Sequence, residues 1–228
     1  MSRLRHALAV LAVLISAVLA LTACGSSRGG TGNTGGAGSP GGSASSGPSE
    51  LTDHTDPTYQ GLGLVPPQPR PRFTLTDTAG KPFKFGTATA GKPTLLFFGY
   101  THCPDVCPTT LADIAIGLKS VPSTVRAATQ VVFVTTDVRR DTAAVLRSYL
   151  AKFDPELPNK FIGLTGTQAA IDAAQVAAHV TLAEDDGQTH SAQVLLYGSD
   201  DYARVAFLQS NNESGQVAHD LPLVTDLK

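Results

Sequence analysis

The sequence has no tryptophan, and its single methionine is the first of its 228 residues. A methionine-rich metal site is therefore excluded. Charge is sparse as well: 16% of residues are charged, 17 basic against 19 acidic. That balance excludes the electrostatic footprint of a nucleic-acid binder, which needs Lys and Arg massed against a phosphate backbone. Cysteine is scarce. It occurs only at positions 24, 103 and 107, so each needs its own account.

What the chain does have is unevenly spread. Arg3 and Arg5 precede a run of Ala, Val, Leu and Ile with one serine, Ser16, over residues 7–21, too short for a typical spanning helix. The run ends in Leu21-Thr22-Ala23-Cys24-Gly25. This resembles a bacterial lipobox, in which small residues precede a cysteine that receives lipid and becomes the first mature residue. Residues 1–23 are expected to be a lipoprotein signal peptide, with Cys24 as the lipidation site. The domain would then lie on the extracytoplasmic face of the cell membrane, held by stable multi-chain lipid anchoring. Loss of residues 1–23 removes two arginines and no acid, leaving the mature chain at a net charge of −4. Residues 25–49 hold ten glycines, many serines and one charge, Arg28. Such a segment cannot bury enough apolar surface to offset the entropy of ordering it. Residues 24–64 are read as the lipidated cysteine and a flexible Gly/Ser/Pro-rich tether, its Gly-rich part spanning about 25–30 Å. Pro57, Pro66, Pro67, Pro69 and Pro71 run extended onto the domain.

Residues 65–228 are long enough for one core of ordinary size. Alternation in Phe73-Thr74-Leu75 and Phe83-Lys84-Phe85 around Ala79-Gly80 predicts an N-terminal hairpin. Residues 93–100 form a continuous apolar run, as for a strand buried on both faces. A helix is expected from Pro108 to about Leu118, a buried strand over 131–134, and a helix over 141–153 with Asp141 as N-cap. A strand over 161–164, an alanine-rich helix over 168–180, strands over 191–197 and 204–208, and a closing helix over 215–227 complete the pattern. Strands alternating with helices indicate an α/β domain, a central sheet flanked by helices.

The segment Tyr100-Thr101-His102-Cys103-Pro104-Asp105-Val106-Cys107-Pro108 joins a predicted buried strand to a predicted helix. Cysteines at i and i+4 can share one face of a first helical turn, where the dipole and unpaired N–H groups stabilise thiolates. Such a pair can cycle between dithiol and disulfide, or supply two soft ligands to a soft metal. A structural disulfide is the bland alternative, but a bridge enclosing three residues constrains the unfolded chain little. A third ligand is needed. His179 falls in the alanine-rich helix, where a structural role is the better reading. His219 lacks ligand-type neighbours, and His102 is expected to point away from Cys103. His190 stands out as the first residue ahead of the apolar strand, after a polar stretch at 184–188.

Residues Gly91 to Pro108, with Gly99-Tyr100-Thr101-His102-Cys103-Pro104-Asp105-Val106-Cys107-Pro108 at their centre, resemble the signature of the SCO/SenC copper-chaperone family. Thr136-Asp137 to Arg140-Asp141-Thr142 resembles that family's Asp-Pro-x-Arg-Asp-Thr motif, with Val138 in place of Pro. The resemblance covers most of residues 70–228. It implies a thioredoxin-like fold with a mixed sheet, and a site binding copper, as Cu+ or Cu2+, through Cys103, Cys107 and His190. Thr189 stands where the family commonly has Asp before the histidine. Asp137 is implied as a residue near the cysteines that tunes or positions the site.

The function implied is a metallochaperone that delivers copper to, or prepares, the CuA centre of cytochrome c oxidase, with the CuA-bearing subunit as partner. The alternative is an extracytoplasmic thiol–disulfide oxidoreductase acting on the cysteines of a copper acceptor, with Cys103 and Cys107 as redox pair. Two features favour the first. Redox enzymes of this fold favour Cys-x-x-Cys, whereas this is Cys-x-x-x-Cys; they also carry a proline just before a late strand, where Thr189-His190-Ser191 stands here. A peroxide-reducing enzyme of the same fold would need a pocket motif of its own, which the sequence does not show.

Overall fold

A computed structural model describes residues 56–208 and 213–227. The expected signal peptide, Cys24 and the Gly-rich stretch at 25–49 lie outside these residues. Among the described residues, no helix is long and apolar enough to cross a membrane.

The architecture grows from one strand. β4 (Thr94–Gly99) is buried along its whole length. Period-2 alternation sends Leu95 and Phe97 into one core and Leu96 and Phe98 into another. Each of these fully buried side chains contributes about 1.5–3 kcal/mol relative to exposure. β5 (Gln130–Thr135) runs parallel to β4, and β6 (Ile162–Thr165) parallel to β5. β7 (Val194–Tyr197) pairs antiparallel on the other side of β4, followed by β8 (Tyr202–Phe207). β1 (Leu62–Pro69) closes that edge, and the hairpin β2 (Thr74–Asp77) and β3 (Pro82–Lys84) closes the other. The sheet is mixed, in the order β1-β8-β7-β4-β5-β6-β2-β3.

Helices cover both faces. The Leu95/Phe97 face receives α2 (Val106–Ser120), α4 (Ala143–Leu150) and α6 (Glu213–Thr225) through Leu111, Ile114, Leu146, Leu150, Val217 and Leu221. The opposite face receives α5 (Gln168–Ala177) through Ile171 and Ala174, and Phe85 of the short α1 (Phe85–Ala88). α3 (Ser123–Ala128) is a brief turn with no buried side chain.

Several expectations shift. β1 begins at Leu62, inside the stretch read as tether, and pairs with Ala206 and Val205 before a bulge leads to Gln68. As an edge strand it tolerates Pro66, Pro67 and Pro69, because the missing N–H groups interrupt no central ladder. Asp141 does not cap α4. Thr142 does, its side chain accepting from Val145 N. α5 stops at Ala177, and His179 lies beyond it, exposed, in the left-handed region at φ 54°. The late strand starts at Val194 rather than at residue 191, so His190 sits in the preceding loop.

Candidate metal centre

The parallel pair β4–β5 ends with Gly99 beside Thr135, and the Thr136 N–H donates to Gly99 O at 2.8 Å. Both strand exits therefore open at one end of the sheet. β4 leads through residues 100–105 into α2, whose first turn carries Cys107. Gly99 is small for a reason. A Cβ there would lie 2.8 Å from Cys107 Sγ and 3.1 Å from the Phe133 ring, so the sulfur fills the space a side chain would take.

Antiparallel pairing brings in the histidine. Val194 of β7 opposes Phe97 of β4, so the chain entering β7 lies beside the chain leaving β4. His190 Nε2 comes within 3.4 Å of Cys107 Sγ. The potential donor atoms of Cys103, Cys107 and His190 all lie within 4.8 Å of one another. Both cysteines are free thiols.

The loop holding His190 is shaped by three contacts. Glu184 and Thr189 form an antiparallel bridge. The Thr136 hydroxyl donates to Gly187 O at 2.6 Å. Gly187 itself has φ 88°, and a Cβ there would fall 2.0 Å from Thr136 O. Ring orientation is fixed separately. Nδ1 lies 2.9 Å from Ser191 O, which makes Nδ1 the protonated nitrogen and leaves the Nε2 lone pair toward the sulfurs. Tyr100 packs edge-on against the imidazole at 5.5 Å and 88°, and Phe97 at 6.3 Å and 63°. Burial lowers the His190 pKa more than the Ser191 carbonyl raises it, so the ring is kept neutral, as a metal ligand must be.

The two sulfurs are unlike. Burial pushes the Cys107 thiol well above the usual range. Burial would raise Cys103 too, but hydrogen bonds from the Cys107 and Asp105 N–H groups outweigh it and hold the thiol below its ordinary value, with the Tyr100 hydroxyl adding to the effect. The Cys107 N–H to Cys103 Sγ distance is 3.4 Å. Cys103 is partly exposed, whereas Cys107 has no exposed surface.

Asp137 is not one of the three converging donors. Its carboxylate binds Arg140, and it groups with His102 and Asp141 rather than with the cysteines. His102 is exposed, with Nδ1 3.0 Å from the Thr101 hydroxyl. His219 sits on α6 beside Asp220. Asp141, expected as a cap and part of the second family motif, is a fully buried tie between the two strand exits. It accepts from Thr101 N at 2.9 Å, Thr101 Oγ1 at 2.6 Å and Thr135 Oγ1 at 2.6 Å. Tyr100 and Arg140 belong to the two family motifs and Gly187 to the polar stretch at 184–188, but the sequence assigns none of them a specific role. For Gly187 a signal existed, an acidic pair followed by Gly, which marks a turn.

The family model described as SCO1/SenC matches residues 65–225. Over 95 residues the chain is 40% identical to mitochondrial protein SCO2 of Saccharomyces cerevisiae, covering 42% of this chain and 30% of that one. The copper-bound structure of Bradyrhizobium japonicum ScoI is 34% identical, with a TM-score of 0.56 over 68% of this chain and 98% of that chain. Copper-bound yeast Sco1 is 28% identical, with a TM-score of 0.60 over 71% and 91%. The matched stretches span from 30% to 64% of the length of the first curated relatives.

Proposed function

The chain belongs to the SCO1/SenC family, and from that premise we propose that it is a copper-binding metallochaperone that delivers copper to, or prepares, the CuA centre of cytochrome c oxidase. One observation carries the reading: two sulfurs and one imidazole nitrogen converge within 4.8 Å. That donor set is soft and suits copper, and the copper-bound ScoI and Sco1 structures support the choice of metal. Copper is the cargo here. Cys103, partly exposed and with its thiol held low, is the donor a copper-bearing partner meets first. Cys107 enters as a protonated thiol, and the metal's charge offsets the burial that keeps it so. His190 offers a neutral nitrogen without reorientation, because Ser191 O holds the other end of the ring.

Anchoring through Cys24 on the extracytoplasmic face of the membrane belongs to the same reading, with the CuA-bearing subunit as the partner. The test is copper stoichiometry of the reduced protein, with Cys103→Ala, Cys107→Ala and His190→Ala measured one at a time. One copper per chain, lost or strongly weakened in each variant, is expected. Undiminished binding by all three would end the proposal. A second reading, thiol–disulfide exchange with the cysteines of a copper acceptor, draws on the unlike settings of the two thiols. Rapid reduction of an acceptor disulfide by the metal-free dithiol protein would favour it.

A further inference from the structure

The Asp137 carboxylate is 3% exposed and holds Arg140. Its Oδ2 accepts from Arg140 Nε and its Oδ1 from the Arg140 N–H at 3.2 Å. This double hold leaves the guanidinium over the Tyr100 ring, with Cζ 5.9 Å from the centroid. The same ring stands edge-on to His190, and its hydroxyl hydrogen-bonds Cys103. One aromatic side chain thus separates a fixed cation from two of the three converging residues. The acidic groups nearby, Asp105 at the start of α2 and the buried Asp137 and Asp141, would otherwise bias the site against added negative charge.

We propose that Arg140, held by Asp137 against Tyr100, is the counter-charge of the copper site and favours the cuprous over the cupric ion. The inference rests on the reading of Cys103, Cys107 and His190 as ligands. With two thiolates and a neutral imidazole, the site carries net −1 with Cu(I) and net zero with Cu(II). A neighbouring cation stabilises the first charge state and is indifferent to the second. Asp137 is then a positioning residue, acting through Arg140 and touching no metal. Lys152 provides an internal contrast. It sits 5.8 Å from the Tyr149 centroid on the other flank, exposed and without an ion pair among the described residues. An untethered ammonium of that kind contributes little. Arg140 is itself 42% exposed, so solvent screening limits its effect.

The experiment measures Cu(I) and Cu(II) affinities separately, by chelator competition on the reduced full-length protein. Arg140→Gln is expected to lower the ratio of Cu(I) to Cu(II) affinity about three- to tenfold, the tenfold limit being about 59 mV for a one-electron couple. Asp137→Asn removes an anion as well as the hold on Arg140, so its positioning role is read by a cycle: Arg140→Gln should shift the ratio less in the Asp137→Asn background than in the wild type. Arg140→Lys should restore at least about half of the change, and Lys152→Gln should change it less than about twofold. A merely structural role would weaken both ions alike and leave the ratio unmoved. An unchanged ratio in Arg140→Gln overturns the proposal. So does a loss with Lys as large as with Gln, or an equal shift in Lys152→Gln. A wild-type protein that binds neither ion, or binds both unaffected by Cys103→Ala, instead overturns the ligand reading on which the proposal stands.

Discussion

The two halves of the candidate site are built to different standards. The cysteine half is part of the core: Cys107 has no exposed surface, sits against Gly99 and Phe133, and belongs to a 15-residue helix packed on the sheet. The histidine half is an arm. Residues 184–190 meet the body in the Thr136–Gly187 hydrogen bond, in the approach of His190 to Cys107 and in the packing of His190 on Tyr100 and Phe97, while Glu184, Asp185, Gln188 and Thr189 are exposed. Local stability follows buried apolar contact, so the arm opens at lower free energy than the cysteine loop. On the proposed reading the protein must hold its cargo and also release it. Fixed sulfurs with a detachable imidazole meet both needs, and the comparison can be tested by striking each half in turn.

The largest effect should come from the fixed half. Cys107→Ala removes a donor that nothing nearby can replace, and copper affinity should fall by at least about a thousandfold, or about 4 kcal/mol. His190→Ala should fall short of that, because the two sulfurs stay in place. Equal losses in competition titrations would erase the distinction between the halves.

Next comes Gly187→Val. At φ 88°, with Thr136 O only 2.0 Å from the new Cβ, the arm cannot stay docked. Copper affinity should fall about tenfold, or about 1.4 kcal/mol, and the spectrum of the bound metal should match that of His190→Ala. The thermal midpoint should barely move, since the arm carries little of the core. A large drop in midpoint would show that the arm is part of the body after all.

Asp141→Asn probes the joint of the cysteine half. The amide can replace only some of the acceptor roles toward Thr101 and Thr135, and one of its N–H donors would face hydroxyl groups that must reorient. A loss of about 1–3 kcal/mol in urea unfolding is expected. The accompanying drop in copper affinity should be smaller than that of Gly187→Val.

This division also governs what could be read from the sequence. The cysteine half was legible because strand, loop and helix are contiguous, and i, i+4 spacing on a helix start has a direct chemical meaning. His190 gained its assignment from family resemblance. What places it is the pairing of Phe97 with Val194, a long-range register that no local pattern reveals. Chain-local signals failed where tertiary contacts compete for a side chain. Asp141 has the residue type and position of a cap but is drawn inward by two threonines, leaving Thr142 to cap. β1 was obscured by its prolines, which mark turns and extended chain equally well. α3 fully buries no side chain and is only six residues long, so it leaves no periodicity to find.

The smallest expected effect at the site comes from a change on the far side of α2. Glu213, 1% exposed at the start of α6, has one carboxylate oxygen without a hydrogen-bond partner among the described residues. Burial, reinforced by the Asp113 charge, raises its pKa from 4.5 to about 7. A folded-state pKa above the unfolded value means that the native state binds the proton more tightly. The stabilisation is therefore fully present below about pH 4.5 and is lost as pH rises through about 7. Glu213→Gln keeps the shape and removes the charge. It should stabilise the metal-free protein above pH 7 by about 1–3 kcal/mol in urea unfolding, with the gain shrinking to nothing below pH 4.5. α6 packs on α2 through Val217 against Gly117, so any slack there is transmitted to the helix that carries Cys107. If the cysteine half is as firmly built as its burial implies, copper affinity at pH 8 should be the same in Glu213→Gln and wild type despite their difference in stability. A tighter site in the variant would mean that the sulfurs, like the imidazole, ride on a part of the molecule that yields.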